Sequence, residues 1–344
     1  MATCMTAAIQ ADPASRIVCA DAGAGGYQAF PDVVRLPDGD ILCVFYAGYG
    51  HIAFPRDDLP NGARVCACRS MDDGRTWGEA TIVADTPYDD RDPSIALLPD
   101  GTLLCNWFTY TYGQEKHREG NEANYKEIHT TRSEDGGRTW TEPQLIESTA
   151  NDHFGCSSPM RVLSDGTLLM PIYHELVDPL RCTSYVILSE DNGQTWGAPL
   201  PVDAANEDND EPDVYERSNG ELLCVMRTNH TDASTMWYSV SADRGSTWSP
   251  SRPLPFTGQA PYLFSAGGAL LCGHRLPGTS LHVSRDEGVT WGENVAIDDC
   301  IGAYPSMCAL SDGGVLFVYY EEGPGSAIRC MTLRVPAGGD IVVE

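Results

Sequence analysis

Ser189-Glu190-Asp191-Asn192-Gly193-Gln194-Thr195-Trp196 is one of five copies of the pattern Ser-x-Asp-x-Gly-x-Thr-Trp, and its reading decides the fold. The other copies run Ser70–Trp77, Ser133–Trp140, Ser241–Trp248 and Ser284–Trp291, and together the five boxes use five of the seven tryptophans. In each box the Asp carboxylate can accept from backbone amides, the Gly permits a left-handed backbone, and the Trp packs down onto a sheet. The box is therefore a strand-to-strand turn that builds the fold and carries no chemistry.

A second pattern runs in step with the boxes. A proline is followed, after about five residues, by Asp-Gly-x-Leu-Leu or a close variant. The copies begin at Pro31, Pro93, Pro159, Pro212, Pro261 and Pro305. Their turns are Asp38-Gly39, Asp100-Gly101, Asp165-Gly166, Asn219-Gly220, Gly267-Gly268 and Asp312-Gly313. Asp-Gly and Asn-Gly between apolar runs signal hairpins. A third strand and a box follow the first five copies. Six such units predict an all-β chain, a six-bladed β-propeller with Asp-box turns. The sixth unit ends with one strand-like run, Ala327–Val335, and has no box. A propeller must close its ring, so a strand near Ile17–Ala20 is predicted to complete the last blade. The single domain spans 1–344, with 1–14 as an N-terminal tail.

Composition narrows the function. The 344 residues carry 49 acidic and 22 basic side chains, a net charge of −27. That balance argues against binding nucleic acid or an anionic membrane. Met1–Gly26 has no basic segment followed by an apolar one, so no signal peptide is read there. The thirteen cysteines are odd in number, and Cys43, Cys66, Cys68, Cys105, Cys224 and Cys272 sit in apolar runs. They read as small buried hydrophobes of a reducing compartment. The expected location is cytoplasmic, or secreted if a leader precedes the chain. Cys66-Ala67-Cys68 lacks a matching second pair, so no zinc site is expected, and no cofactor.

The register also locates a site. The residues just before the six prolines are Phe30, Asp92, Ser158, Glu211, Ala260 and Tyr304. Seven residues after each turn glycine come Tyr46, Phe108, Tyr173, Arg227, Arg275 and Tyr320. Equivalent positions of a propeller form rings about its axis, so these two rings should line one mouth of the channel. Acids, guanidiniums and a tyrosine converging from separate blades suggest a polar pocket for an anionic or sugar ligand. Ion pairs closing the channel are the structural alternative.

These residues resemble the sialidase (neuraminidase) superfamily over roughly Gly26 to Gly323. Asp210-Glu211-Pro212 leading to Val225-Met226-Arg227 is similar to the family's glutamate and one arginine of its carboxylate clamp. Cys272-Gly273-His274-Arg275 is similar to the stretch with another clamp arginine. Ala303-Tyr304-Pro305-Ser306 with Tyr319-Tyr320-Glu321 is similar to the nucleophilic-tyrosine segment. The resemblance implies a retaining exo-glycosidase with a Tyr nucleophile. It implies that Tyr304 attacks the anomeric carbon, Glu211 takes its proton, and Arg227 and Arg275 hold the substrate carboxylate. The family's first motif is Tyr-Arg-Ile-Pro; here Tyr27-Gln28-Ala29-Phe30-Pro31 puts Ala29 where the clamp arginine stands. Arg91, two residues before the next proline, is expected to supply the third guanidinium. A salt bridge to a neighbouring Asp is its structural alternative.

The family's acid/base Asp sits on the loop after the first blade's second strand, here Gly48–Asn61. That loop offers Asp57, Asp58 and His51, and Asp92 points to the same ring. His174, Tyr46 and Tyr320 are further candidate substrate contacts. The segment Thr109–Tyr125, polar and aromatic, is a candidate overhanging loop. The expected function is removal of a terminal sialic acid or related acidic sugar, the glycan being the partner. The alternatives are a hydrolase or lyase acting on uronic-acid glycans and a non-catalytic sugar-binding propeller.

Overall fold

The computed structural model describes residues 15–110, 126–150, 152–177, 180–206, 208–229, 234–300, 302–323 and 325–344. The expected tail 1–14 and residues 111–125 of the expected overhanging loop lie outside the described residues. Six antiparallel sheets, consecutive in sequence and each packed on the next, form a six-bladed propeller. Blade 1 runs from Tyr27 to Ala84, blade 2 from Asp89 to Leu145, and blade 3 from Phe154 to Pro201. Blade 4 runs from Asn209 to Thr257, blade 5 from Gln259 to Asp298, and blade 6 from Gly302 to Arg334. The outermost strand of blade 6 is Arg16–Cys19, paired antiparallel with Ile328–Arg334. The two ends of the chain thus share one sheet, and the ring is held closed by backbone hydrogen bonds.

The boxes fold as their chemistry dictates. In the first, Ser70 Oγ donates to Asp72 at 2.9 Å, and Asp72 accepts from the Thr76 amide at 2.8 Å and the Thr76 hydroxyl at 2.6 Å. The box glycines do more than turn. A Cβ on Gly193 of blade 3 would stand 2.6 Å from Leu104 of blade 2. One on Gly288 of blade 5 would stand 2.4 Å from Leu223 of blade 4. Four of the five boxes, those of Gly74, Gly137, Gly193 and Gly288, thus lean on the second strand of the preceding blade, and the bare backbone makes that close approach fit.

The inner strands carry the feature that builds the site. In blades 1, 2, 4, 5 and 6 the ladder slips at the proline, which has no N–H to donate. The residue before it is forced to positive φ: Phe30 at 52°, Asp92 at 49°, Glu211 at 42°, Ala260 at 52° and Tyr304 at 40°. Such backbone is strained for residues with a Cβ, and here it recurs at one level of the ring. Blade 3 departs from the rule. Its inner strand is split into Phe154–Gly155 and Arg161–Val162, and Ser158 has no positive φ. Ser157 takes up the position facing the ring instead.

Candidate functional site

At the mouth above these bulges lies a cavity of about 360 Å³. All six blades contribute to its wall: His51 and Ile52; Arg91, Asp92 and Lys126; Tyr173 and Glu175; Asp210, Glu211 and Arg227; Arg275; Tyr304. Below it four of the bulge prolines, Pro31, Pro93, Pro261 and Pro305, and Pro159 of blade 3 close around a space of only about 20 Å³, with Asp32 and Tyr262 beneath. The channel is therefore plugged, and the cavity is a blind cup.

The centre of the cup is a chain of three groups. The Tyr304 hydroxyl donates to Glu211 Oε1, which also accepts from Arg227 at 2.7 Å. Arg275 lies over the Tyr304 ring, 5.1 Å from its centroid. Burial and the adjoining Glu211 carboxylate push the Tyr304 phenol well above its ordinary pKa, against the pull of Arg275 and Arg227. At rest the phenol is neutral, with a carboxylate in position to take its proton. Glu211 Oε2 and the Nε atoms of Arg227 and Arg275 are buried without a partner among the described residues. Unmet buried polar atoms around one cup are what a polar ligand would satisfy.

Asp92 stands on blade 2 at the equivalent bulge. It accepts from Ser157 Oγ at 2.6 Å, while its Oδ1 has no hydrogen bond among the described residues. Burial pushes its carboxyl up to about 6, with Arg91 and Ser157 opposing. Asp210 is also raised to about 6, by burial and by the neighbouring Glu211. His51 sits at the lip, between the Tyr27 hydroxyl at 3.0 Å and Arg91 at 3.2 Å. Burial and the Arg91 charge lower it to about 4. Tyr27 gives its own proton to Glu322, so His51 Nδ1–H donates to Tyr27 and Nε2 accepts from Arg91. Neutral and with both nitrogens engaged, His51 has no proton to give near neutrality.

Of the expected site residues, Tyr304, Glu211, Asp92, His51, Arg91, Arg227 and Arg275 line the cup. Five others stand outside it. Asp57 is exposed, and Asp58, 71% exposed, is spent on Arg56 at 2.6 Å along the same loop. His174 turns outward to Asp152 at 2.7 Å. Tyr46 and Tyr320 are fully buried, their hydroxyls tied to Asp89 at 2.9 Å and Glu322 at 2.7 Å. The Tyr46 and Tyr320 rings pack against Phe30 and Tyr304, while Phe108, Tyr173, Arg227 and Arg275 of the same register line the cup.

The wall also holds Lys126, Glu175 and Asn229. Of these, Lys126 and Asn229 escape a reading confined to the two rings, since Lys126 opens the third strand of blade 2 and Asn229 follows the second strand of blade 4, past the ring position. Lys126 had a signal: Lys116 and Lys126 are the only lysines among the 22 basic residues. A surface tuned for solubility does not ration lysine in this way, and Lys126 is buried.

The family model described as a BNR repeat-like domain matches residues 63–318. A sialidase of Micromonospora viridifaciens is 26% identical over 90% of this chain and 52% of its own length. A sialidase of Bacteroides fragilis strain YCH46 is 25% identical over 91% of this chain and 62% of its own. The chain thus spans between about half and three fifths of these curated relatives. Among solved structures, a Dyadobacter fermentans protein of unknown function superposes with a TM-score of 0.81 at 21% identity, covering 94% of this chain and 98% of its own. The Hadza microbial sialidase Hz136 superposes with a TM-score of 0.70 at 20% identity, covering 90% and 66%. At such identities the structural likeness is a likeness of fold.

Proposed function

The chain belongs to the BNR repeat-like domain family within the sialidase superfamily of propellers, and from that premise we propose that it is an exo-acting glycoside hydrolase that removes a terminal sialic acid or related acidic sugar. The observation that carries the reading is the hydrogen-bonded chain Tyr304–Glu211–Arg227, with Arg275 over the phenol ring. Pure binding has no need of a phenol paired with a base.

In this mechanism Arg227 and Arg275 hold the sugar carboxylate by charge-assisted bonds. Tyr304 Oη attacks the anomeric carbon and its proton passes to Glu211. The bond from that carbon to the leaving oxygen breaks, and the oxygen takes a proton from Asp92. Water then attacks the same carbon, giving its proton to Asp92, while Tyr304 departs and regains its proton from Glu211. Two displacements retain configuration. A neutral nucleophile suits a substrate whose own carboxylate would repel an anionic one. Asp92 suits the acid role because its raised pKa keeps part of it protonated near neutrality.

The alternative of a hydrolase or lyase acting on uronic-acid glycans is favoured by Ala29, which leaves the carboxylate clamp one arginine short of the family's first motif. Wild type and Tyr304→Phe, incubated with a fluorogenic α-sialoside and a panel of uronic-acid glycosides, decide between them. Turnover of the sialoside that is lost in the variant supports the tyrosine mechanism. Release of an unsaturated, ultraviolet-absorbing product from a uronide overturns it in favour of elimination.

A further inference from the structure

The cup has two cationic ends. Arg227 and Arg275 stand on blades 4 and 5, against Glu211 and Tyr304. Arg91 and Lys126 stand on blade 2, which in a six-membered ring lies opposite blade 5. Among the described residues the hydrogen-bond, ion-pair and ring neighbours of Arg91 come from blades 1 and 2: His51, Asp89, Asp92, and the faces of Phe30, Tyr46, Phe108 and Tyr110. Among the described residues Arg91 shares no hydrogen-bond, ion-pair or ring neighbour with Arg227 or Arg275, and it forms its own station on the wall of the cup.

Two features mark that station as built for a ligand. The Arg91 side chain is only 7% exposed, yet its carboxylate neighbours stand off at 3.7 Å (Asp92) and 3.8 Å (Asp89), beyond hydrogen-bond reach. Among the described residues its Nε has no partner, and its one hydrogen bond goes to His51. A guanidinium has five N–H donors, and leaving them unmet in a buried wall is costly. Lys126, 4% exposed, pairs with Glu175 and lies 4.7 Å from the Tyr173 ring centroid and 5.3 Å from that of Phe108. Both cations flank Phe108 and open onto the same cavity.

We propose that Arg91 and Lys126 form a second oxyanion subsite, so that the preferred substrate is a sugar acid carrying, across from its carboxylate, a further anionic group such as a sulfate or phosphate ester. This rests on the reading that Arg227 and Arg275 take the carboxylate. Arg91 presents unused donors to the oxyanion; Lys126 contributes charge while Glu175 shares its ammonium. Asp89 and Asp92, both raised by burial, oppose the anion least when protonated.

The test is calorimetric titration of inorganic sulfate into the full chain, free and saturated with N-acetylneuraminic acid, in wild type, Arg91→Met, Lys126→Met and Arg275→Met. Sulfate should still bind with the sugar acid in place. That binding should weaken at least tenfold in Arg91→Met, and by less in Lys126→Met, with circular dichroism unchanged. The 8-sulfate and 9-phosphate esters of N-acetylneuraminic acid, titrated next, should show which source of oxyanion binds more tightly than the parent acid. Competition between sulfate and the sugar acid for a single site overturns the proposal. So does sulfate binding that is absent from wild type, or that survives in Arg91→Met. If Arg275→Met leaves the affinity for the sugar acid unchanged, the carboxylate assignment fails, while the sulfate data still decide on Arg91.

Discussion

Tyr304 and Glu211 occupy the same station on two different blades: each precedes a proline, each sits in a bulge, and their φ angles are 40° and 42°. The bulge is a scaffold feature, since Phe30 and Ala260 share it without chemical side chains. What makes a site is the residue placed on it. The strain is over-determined by the ring packing, so it aims each side chain at the axis without a loop to hold it.

Because the pair acts as one unit, Tyr304→Phe and Glu211→Gln should each lower kcat by about 10²- to 10⁴-fold, the range of a lost proton-transfer partner. The double variant should be little worse than either single one. Steady-state turnover of the fluorogenic sialoside measures this, with the unfolding midpoint as the control for fold. Losses that multiply in the double variant would show that the two residues act independently.

Asp92 should pull activity and stability in opposite directions. As the acid it must hold a proton, so kcat/KM should fall as pH rises through about 6. Its folded value lies above the ordinary 3.8, so the folded chain holds the proton more tightly than the unfolded one. Its stabilising contribution is thus complete below about 4 and is lost as pH rises towards 6. Asp92→Asn should abolish the alkaline limb, slow turnover about 10²- to 10⁴-fold, and raise stability at pH 7. Paired pH–rate profiles and urea unfolding curves check both halves.

The histidine pair beneath Arg275 gives the opposite sign. His274 Nε2 and His282 Nδ1 are 2.8 Å apart, and Phe256 stacks on His282 at 3.7 Å. Burial lowers both to about 4, with the mutual repulsion adding to it at His274. Neutral in the fold and ordinary when unfolded, they should lose stability as pH falls from 6.5 to about 4. The scale is about 1.4 kcal/mol for each unit of displacement. Urea midpoints for wild type and His282→Gln across that window should differ in slope. Parallel curves would remove the pair as the cause.

The sequence carries the fold openly because turns announce themselves. Asp72 and Gly288 each specify a local geometry with a short-range mechanism, and repetition makes the blade visible. The rings were legible for the same reason, which is why Tyr304, Glu211, Asp92, Arg227 and Arg275 fall where the register puts them. Asp57 and Asp58 stand outside the cup because a loop position has no register; Arg56, two residues from Asp58, decides its direction. Tyr46 and Tyr320 show the limit of the ring argument. Register fixes the height of a residue, but side-chain size and a partner such as Asp89 or Glu322 decide whether it supports the cup or faces into it.

The last prediction separates backbone strain from contact between blades. Gly220 and Gly288 both sit at positive φ, 84° and 86°, so alanine at either forces a Cβ into left-handed backbone at about 1–2 kcal/mol. A Cβ on Gly220 meets nothing within 4 Å, whereas one on Gly288 meets Leu223 of the preceding blade at 2.4 Å. Leu223 is fully buried and has no room to retreat. Gly288→Ala should therefore destabilise by about 1–3 kcal/mol more than Gly220→Ala, the usual range for overpacking a core. Urea unfolding of the two variants gives the difference directly. Equal losses would mean that the box closes its own turn and nothing more; the expected excess would mean that each box also fastens its blade to the one before it.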